Sequence, residues 1–308
     1  MHSMVEEAWM EPIIEVKELC KKYKSMDGYA VRNMSFYVQP GEIVGVLGPN
    51  GAGKSTLIKM LLGVIRPTSG ALSVMGKAPI SFRNADKAKL GVYLGGKSNL
   101  IYHLPVLDSV RLFQSIYKVP KETFARNLAR YAALLQCDGY LHQRVATLSL
   151  GQRLRAELLC ILIYEPSLLI LDEPTLGLDI EGKRQIRDMF HQLVTDKRLS
   201  VVITTHDVHD IQRLCSRILM VCQGEKVMDV TSERFDEILR RHTVLLTDAA
   251  LNPLPEGVQY VEQENGCCRY LVPAALVEQV KAAVQRLPYR QLRQEAPRVE
   301  DILYAYYR

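Results

Sequence analysis

The chain has 308 residues, 48% hydrophobic and 24% charged, with a formal net charge of +5. This is length for one large domain plus a small one, with apolar material for a core, and the charge is too weak to mark a nucleic-acid surface. The opening stretch MHSMVEEAWMEP lacks the basic head and apolar run of a secretory signal, and the most apolar run, residues 158–171, is broken by Glu165 and Pro166 before it reaches bilayer length.

Residues 13–19 read as a strand, 34–38 as an alternating strand, and 43–47 as a short apolar strand ending at a glycine, the pattern of a buried parallel strand. A helix over about 53–62 follows, then a turn at Arg66-Pro67-Thr68-Ser69-Gly70 and a strand over 71–74. Residues 108–136 carry apolar side chains at three- and four-residue steps and predict helix. A buried strand at 168–171, a helix at 180–194, a strand at 201–205 and a helix at 208–214 come next. Beyond about residue 233 the character changes. Short strands at 243–246, 259–262 and 268–272, with Glu264-Asn265-Gly266 as a hairpin turn, and helices at 274–287 and 298–307 predict a small α+β module. Of seven scattered cysteines without a CxxC, most read as small core residues of a reducing compartment. The vicinal pair Cys267-Cys268 has no nearby partner with which to build a metal or redox site.

Three stretches carry chemistry. Gly48-Pro49-Asn50-Gly51-Ala52-Gly53-Lys54-Ser55-Thr56 has the spacing GxxxxGKS between a predicted strand and a predicted helix. Glycines there let backbone N–H groups curl around phosphates, and the helix N-terminus adds positive potential. Lys54 is placed for the β- and γ-phosphates, and the Ser55 hydroxyl for Mg²⁺. Four apolar residues, 168–171, deliver Asp172 and Glu173 to a strand end, where Asp172 can hold Mg²⁺ through water and Glu173 can orient or deprotonate an attacking water. His206 follows the strand Val201-Val-Ile-Thr-Thr, and at that end a neutral imidazole can hydrogen-bond a γ-phosphate.

A fourth stretch, Leu148-Ser149-Leu150-Gly151-Gln152, opens a predicted helix just before the acidic strand and has no chemical partner nearby in its own sequence. The order phosphate loop, LSLGQ, LLILDE, strand-end His resembles the ATP-binding subunit of an ABC transporter, with LSLGQ in place of the family's LSGGQ signature and Leu150 replacing the first glycine. The resemblance spans about residues 12–232. GVYLGGKSNL, LPVLDSV, LSLGQRLRAEL and the terminal VEDILYAYY resemble the ABC-2-type, sodium- and drug-exporter-like branch.

The resemblance implies an α/β P-loop NTPase cassette over 12–232 with a helical signature subdomain, plus a small α+β, ferredoxin-like module over 233–308. It implies an ATPase that uses ATP and Mg²⁺ and works as a homodimer. Each ATP is held by one chain's phosphate loop and capped by the other's Ser149, Gly151 and helix N-terminus. Tyr23 matches the residue that stacks on adenine, Asp179 in Leu176-Gly177-Leu178-Asp179 the loop at the dimer seam, and residues 100–117 the stretch that docks on a separate membrane permease. The implied location is the cytoplasmic face of the membrane, and no nucleic-acid partner is expected. The branch usually places glutamine where this chain has Gly96; Asn99 is the nearest amide. That departure keeps a weakly hydrolysing regulatory or immunity switch as an alternative. A soluble ABC protein is a second, although the chain has one cassette and no sustained heptads.

Overall fold

The computed structural model describes residues 11–95, 98–194, 199–205, 214–248, 250–264, 266–286, 291–298 and 301–302. Three sheets are present among them. The first is antiparallel, in the order β2-β1-β4, from β1 (Ile14–Lys21), β2 (Val31–Val38) and β4 (Ser69–Val74).

The central sheet is six-stranded, in the order β5-β6-β7-β3-β8-β9. It comprises β3 (Ile43–Leu47), β5 (Leu90–Leu94), β6 (Leu168–Asp172), β7 (Ser200–Thr205), β8 (Arg217–Cys222) and β9 (Glu225–Thr231). All pairings in it are parallel except β8–β9. A parallel sheet is covered on both faces, so its strands are mainly apolar. Every residue of β3 and β7 is buried, as are the first four of β6.

Helix α1 (Lys54–Leu61) leaves the C-terminal end of β3, and the short α2 (Asn84–Lys87) precedes β5. The expected single helical region splits into α3 (Val106–Ile116) and α4 (Lys121–Leu134). Proline disfavours helix in the residue before it and lacks the N–H that would continue the ladder. Pro120 accordingly becomes the N-cap of α4, and α3 closes with Lys118 at φ 54°. Helix α5 (Leu150–Leu162) follows, and α6 (Ile180–Val194) matches its expected span. Eight residues of α5 are buried, among them Leu154, Leu158, Leu159, Ile161 and Leu162. At about 1.5–3 kcal/mol for each large apolar side chain removed from water, this helix anchors the helical layer to the sheet.

The expected boundary at 232/233 falls in the first turn of α7 (Ser232–Arg240), capped by the Thr231 hydroxyl. Phe235 and Ile238 of α7 join the main core, together with Val244, Val261 and Leu271 from the last sheet. That sheet is antiparallel, in the order β11-β12-β10-β13, from β10 (His242–Thr247), β11 (Gln259–Glu264), β12 (Cys267–Pro273) and β13 (Leu292–Glu295). Its other side packs on α8 (Val277–Gln285) through Val277, Val280 and Val284.

The module is α+β, as expected, and its strand order, with the first strand β10 between the fourth, β13, and the third, β12, is that of a ferredoxin-like βαββαβ sheet. It departs from that pattern in the first crossover, where β10 reaches β11 through a segment containing Asn252-Pro253 with no helix among the described residues. The fully buried Arg269 guanidinium donates to both oxygens of the buried Asp301 carboxylate, at 2.7 and 2.9 Å, and ties the chain's last described turn to β12. Of the expected helices, 208–214 lies almost wholly outside the described residues, and 298–307 is described as helix only at Asp301 and Ile302.

Candidate nucleotide site

The phosphate loop runs from the end of β3 into α1, at the C-terminal edge of the central sheet. Its glycines answer to their own chain. A Cβ on Gly48 would lie 2.2 Å from the Val221 carbonyl oxygen. One on Gly53, held at φ 103°, would lie 2.3 Å from the Ala30 carbonyl oxygen. The β8–β9 turn and the start of β2 therefore clamp the loop, with Gly224 N–H donating to Ala52 and Arg32 N–H donating to Gly224. Lys54 is buried, and its ammonium donates to the carbonyls of Gly48 at 2.6 Å and Pro49 at 3.1 Å.

Strand order brings the acids in. Asp172 pairs in register with Thr204 on β7, which pairs with Val46 on β3, next to the loop. The Thr204 hydroxyl donates to Asp172 Oδ1. Glu173 follows at φ 48°, in the left-handed region, pinned by its N–H to the Thr204 carbonyl and hydroxyl. Its carboxylate lies 3.8 Å from the Lys54 ammonium. A non-glycine residue in that conformation is uncommon and marks a constrained position.

A cleft of about 550 Å³ opens here. Asn50, Gly51, Ala52, Gly53, Lys54, Ser55, Thr56 and Glu173 line it on the phosphate side, with Tyr23 on the other. The Tyr23 hydroxyl is 3.5 Å from Thr56 Oγ1, and the Lys21 ammonium sits 5.3 Å from the Tyr23 ring centre. Met26, Tyr29, Arg32 and Gln223 also line the cleft, and the sequence reading did not single them out. Tyr29 was within reach, as a second aromatic six residues beyond Tyr23; Gln223 was not, because it arrives on the β8–β9 turn.

A second cleft, of about 370 Å³, shares no residue with the first. Ser149, Leu150, Gly151, Gly177, Leu178 and Asp179 line it, with Arg155, Glu181 and Gln185. Ser149 is the N-cap of α5: its hydroxyl accepts from Gln152 N–H at 3.2 Å, and the Gln152 side-chain oxygen accepts from Ser149 N–H at 2.9 Å. This reciprocal box fixes the helix start. Leu148, buried, anchors it from behind. Asp179 caps α6 by accepting from Gly182 N–H. Leu150 and Leu176 stand half or more exposed, at 50% and 59%. The structure thus groups Tyr23, the phosphate loop and Glu173 around one cleft and the signature and Asp179 around another. His206 and Gly96 lie outside the described residues. Asn99 lines neither cleft; its N–H donates to Glu157 on α5 at 2.8 Å.

The model of the ABC transporter family matches residues 31–176. The Nod factor export ATP-binding protein I of Cupriavidus metallidurans is 32% identical over 221 residues, covering 71% of each chain. The chain belongs to the ATP-binding proteins of ABC transporters. Another relative, the ABC transporter ATP-binding protein NatA of Bacillus subtilis, is 28% identical over 198 residues, 64% of this chain and 80% of the relative. A solved structure of cbiO1 from Clostridium perfringens, part of the ABC transporter complex cbiONQ, matches with a TM-score of 0.69 at 24% identity, over 75% of this chain and 94% of that one, which shows the shared fold. As an ABC ATP-binding subunit of the ABC-2-type branch, the protein binds nucleotide and hydrolyses ATP. No helix among the described residues is long and apolar enough to cross a membrane.

Proposed function

We propose that this chain is the ATPase of an ABC-2-type exporter, working as a head-to-tail homodimer beneath a separately encoded permease at the cytoplasmic face of the membrane. ATP closes the dimer, hydrolysis reopens it, and the permease converts the cycle into export.

In this reading the loop amides and Lys54 hold the β- and γ-phosphates, and Tyr23 stacks on the base. Ser55 and Asp172, an all-oxygen donor pair, would hold Mg²⁺, with phosphates and water completing its shell. Among the described residues no cluster of three or more His, Cys, Asp or Glu forms a self-sufficient metal site, which suits an ion that arrives with its nucleotide. When bound, the ion supplies positive charge to the phosphate oxygens. Glu173 orients the attacking water and takes its proton, and His206 hydrogen-bonds the γ-phosphate. Ser149, Gly151 and the N-terminus of α5 cap the partner's ATP, with Leu148, Leu150 and Gln152 framing them, and Asp179 lies at the seam. Phosphoryl transfer asks the protein mainly for positioning and charge. Residues 233–308 serve as an accessory module that strengthens pairing.

The observation that carries the proposal is the separation of the two clefts. One has the cation and loop for a triphosphate, the other has a helix N-terminus and exposed leucines, and they have no residue in common. Mixing Ser149→Arg protein with Lys54→Ala protein tests it. Each heterodimer then holds one site built from two intact halves, so ATPase activity above either parent is expected; a mixture no more active than its parents refutes the composite site.

A further inference from the structure

Helix α5 starts at the second cleft, and two of its side chains reach the loop that leaves β5. Glu157 is 3% exposed; its Oε1 accepts from the Ser98 hydroxyl at 2.5 Å and from Asn99 N–H at 2.8 Å. One turn earlier, the Arg153 guanidinium lies 5.5 Å from the Tyr102 ring centre. It also donates to the Ala146 carbonyl, and Ala146 N–H donates to the Tyr102 carbonyl. Residues four apart share a helix face, so one face of α5 grips this loop at two points.

The loop has telling ends. At its start, Gly95 N–H donates to the carbonyl of Asp172, the acid at the end of β6. At its far end, Tyr102 and Leu104 are exposed. A buried carboxylate is costly unless its oxygens are satisfied, and Glu157 Oε2 has no hydrogen-bond partner among the described residues. Burial pushes the carboxyl up, while Ser98 and Asn99 draw it down. With seven other buried residues on α5, all of them apolar or small, a leucine would serve packing better. What the acid adds is a hold on the loop.

We infer that Glu157 is a positioning residue that fastens the loop leaving β5 to the signature helix, so that the two shift as one body when nucleotide brings a second chain onto Ser149 and Gly151. Displacement at the second cleft is thereby delivered to the apolar rim at Tyr102 and Leu104, and to the backbone of Asp172. This rests on the proposed composite site.

Hydrogen exchange on the full chain tests it, in a Glu173→Gln background that holds ATP. With Glu157 intact, ATP protects residues 149–153 and changes exchange over 98–101 with the same midpoint. In Glu157→Ala, protection at 149–153 remains, while 98–101 exchanges at least about tenfold faster and stops responding to ATP. Glu157→Gln, which keeps an acceptor oxygen, restores the response. Should Glu157→Ala fail to fold, Ser98→Ala cuts the contact from the loop side and weakens the same response. A loop that still follows ATP in the Glu157→Ala protein, or follows it at full strength in the Ser98→Ala protein, overturns the inference, as does one that ignores ATP while 149–153 is protected in the intact protein. Absence of protection at 149–153 in the intact protein overturns the composite-site reading instead, and the inference falls with it.

Discussion

The phosphate-loop glycines Gly48 and Gly53 differ from Gly151 of the second cleft in what demands them. Gly48 and Gly53 are enforced from within, because any side chain there would collide with backbone of the same molecule. Gly151 is the second residue of α5, and a Cβ on it would make only an ordinary contact of 3.7 Å with Leu178 Cδ2. Glycine inside a helix is about 0.5–1 kcal/mol worse than alanine. Gly53 is thus explained by its own chain and Gly151 is not, and the half-exposed Leu150 and Leu176 beside Gly151 say the same. The lesson is that a residue unjustified by the fold around it points to something that arrives from outside.

The sharpest way to break this comparison is Glu173→Gln. Turnover should drop by about 10²-fold or more, the scale of a general base, while nucleotide binding persists and sedimentation shows an ATP-dependent dimer. Near-normal turnover would remove Glu173 from the chemistry. Next in size, Asp301→Ala removes the two hydrogen bonds that Asp301 accepts from the buried Arg269, leaves Glu295 at 3.2 Å as a remaining partner, and should cost about 3 kcal/mol in denaturant unfolding. Because Asp301 touches neither cleft, nucleotide affinity per folded molecule should hold; a loss of affinity would tie the C-terminal sheet to the first cleft.

Gly151→Ala sharpens the contrast further. It should raise stability by about 0.5–1 kcal/mol and still weaken ATP-driven dimerisation; a variant that dimerises as well as the parent would show that the second cleft tolerates a methyl. The smallest effect concerns pH. Burial raises the Glu157 carboxyl, which has Tyr93 and Cys160 in its field. The unfolded chain loses this proton at an ordinary carboxylate pH, the folded chain only at a higher one. Between the two the folded state holds more protons, so this group's contribution to stability falls as pH rises through that window. Unfolding curves of Glu157→Gln should lack that slope, and an unchanged slope would assign it to another group.

Much of this could be read before the fold was known. Strands β3, β6 and β7 announce themselves because a strand buried on both faces carries a continuous apolar run, with Asp172, Ser200, Thr204 and Thr205 only at the ends of β6 and β7, and the GxxxxGKS spacing fixes α1. Strand β9 was not legible: Lys226 and Asp229 break its apolar pattern, and only across the sheet does Asp229 meet Arg217, at 2.6 and 2.8 Å. Strand β13, Leu-Arg-Gln-Glu, is mostly exposed and is defined by its pairing with β10 alone. Helix α7 was cut by the supposed boundary, because Phe235 and Ile238 point to a core that the sequence does not reveal. The same holds within the site. Lys54, Asp172 and Glu173 follow from local pattern, whereas Gln223 and Thr204 reach theirs through strand order.

Glu173 carries one more consequence. Its backbone sits at φ 48°, where glycine and asparagine are comfortable and most side chains cost about 1–2 kcal/mol. Two selections applied to the same gene should therefore pull this codon apart. A library sorted only for heat tolerance should drift to glycine or asparagine at position 173, and one sorted for turnover should keep the acid. The position would then record which pressure a lineage has been under.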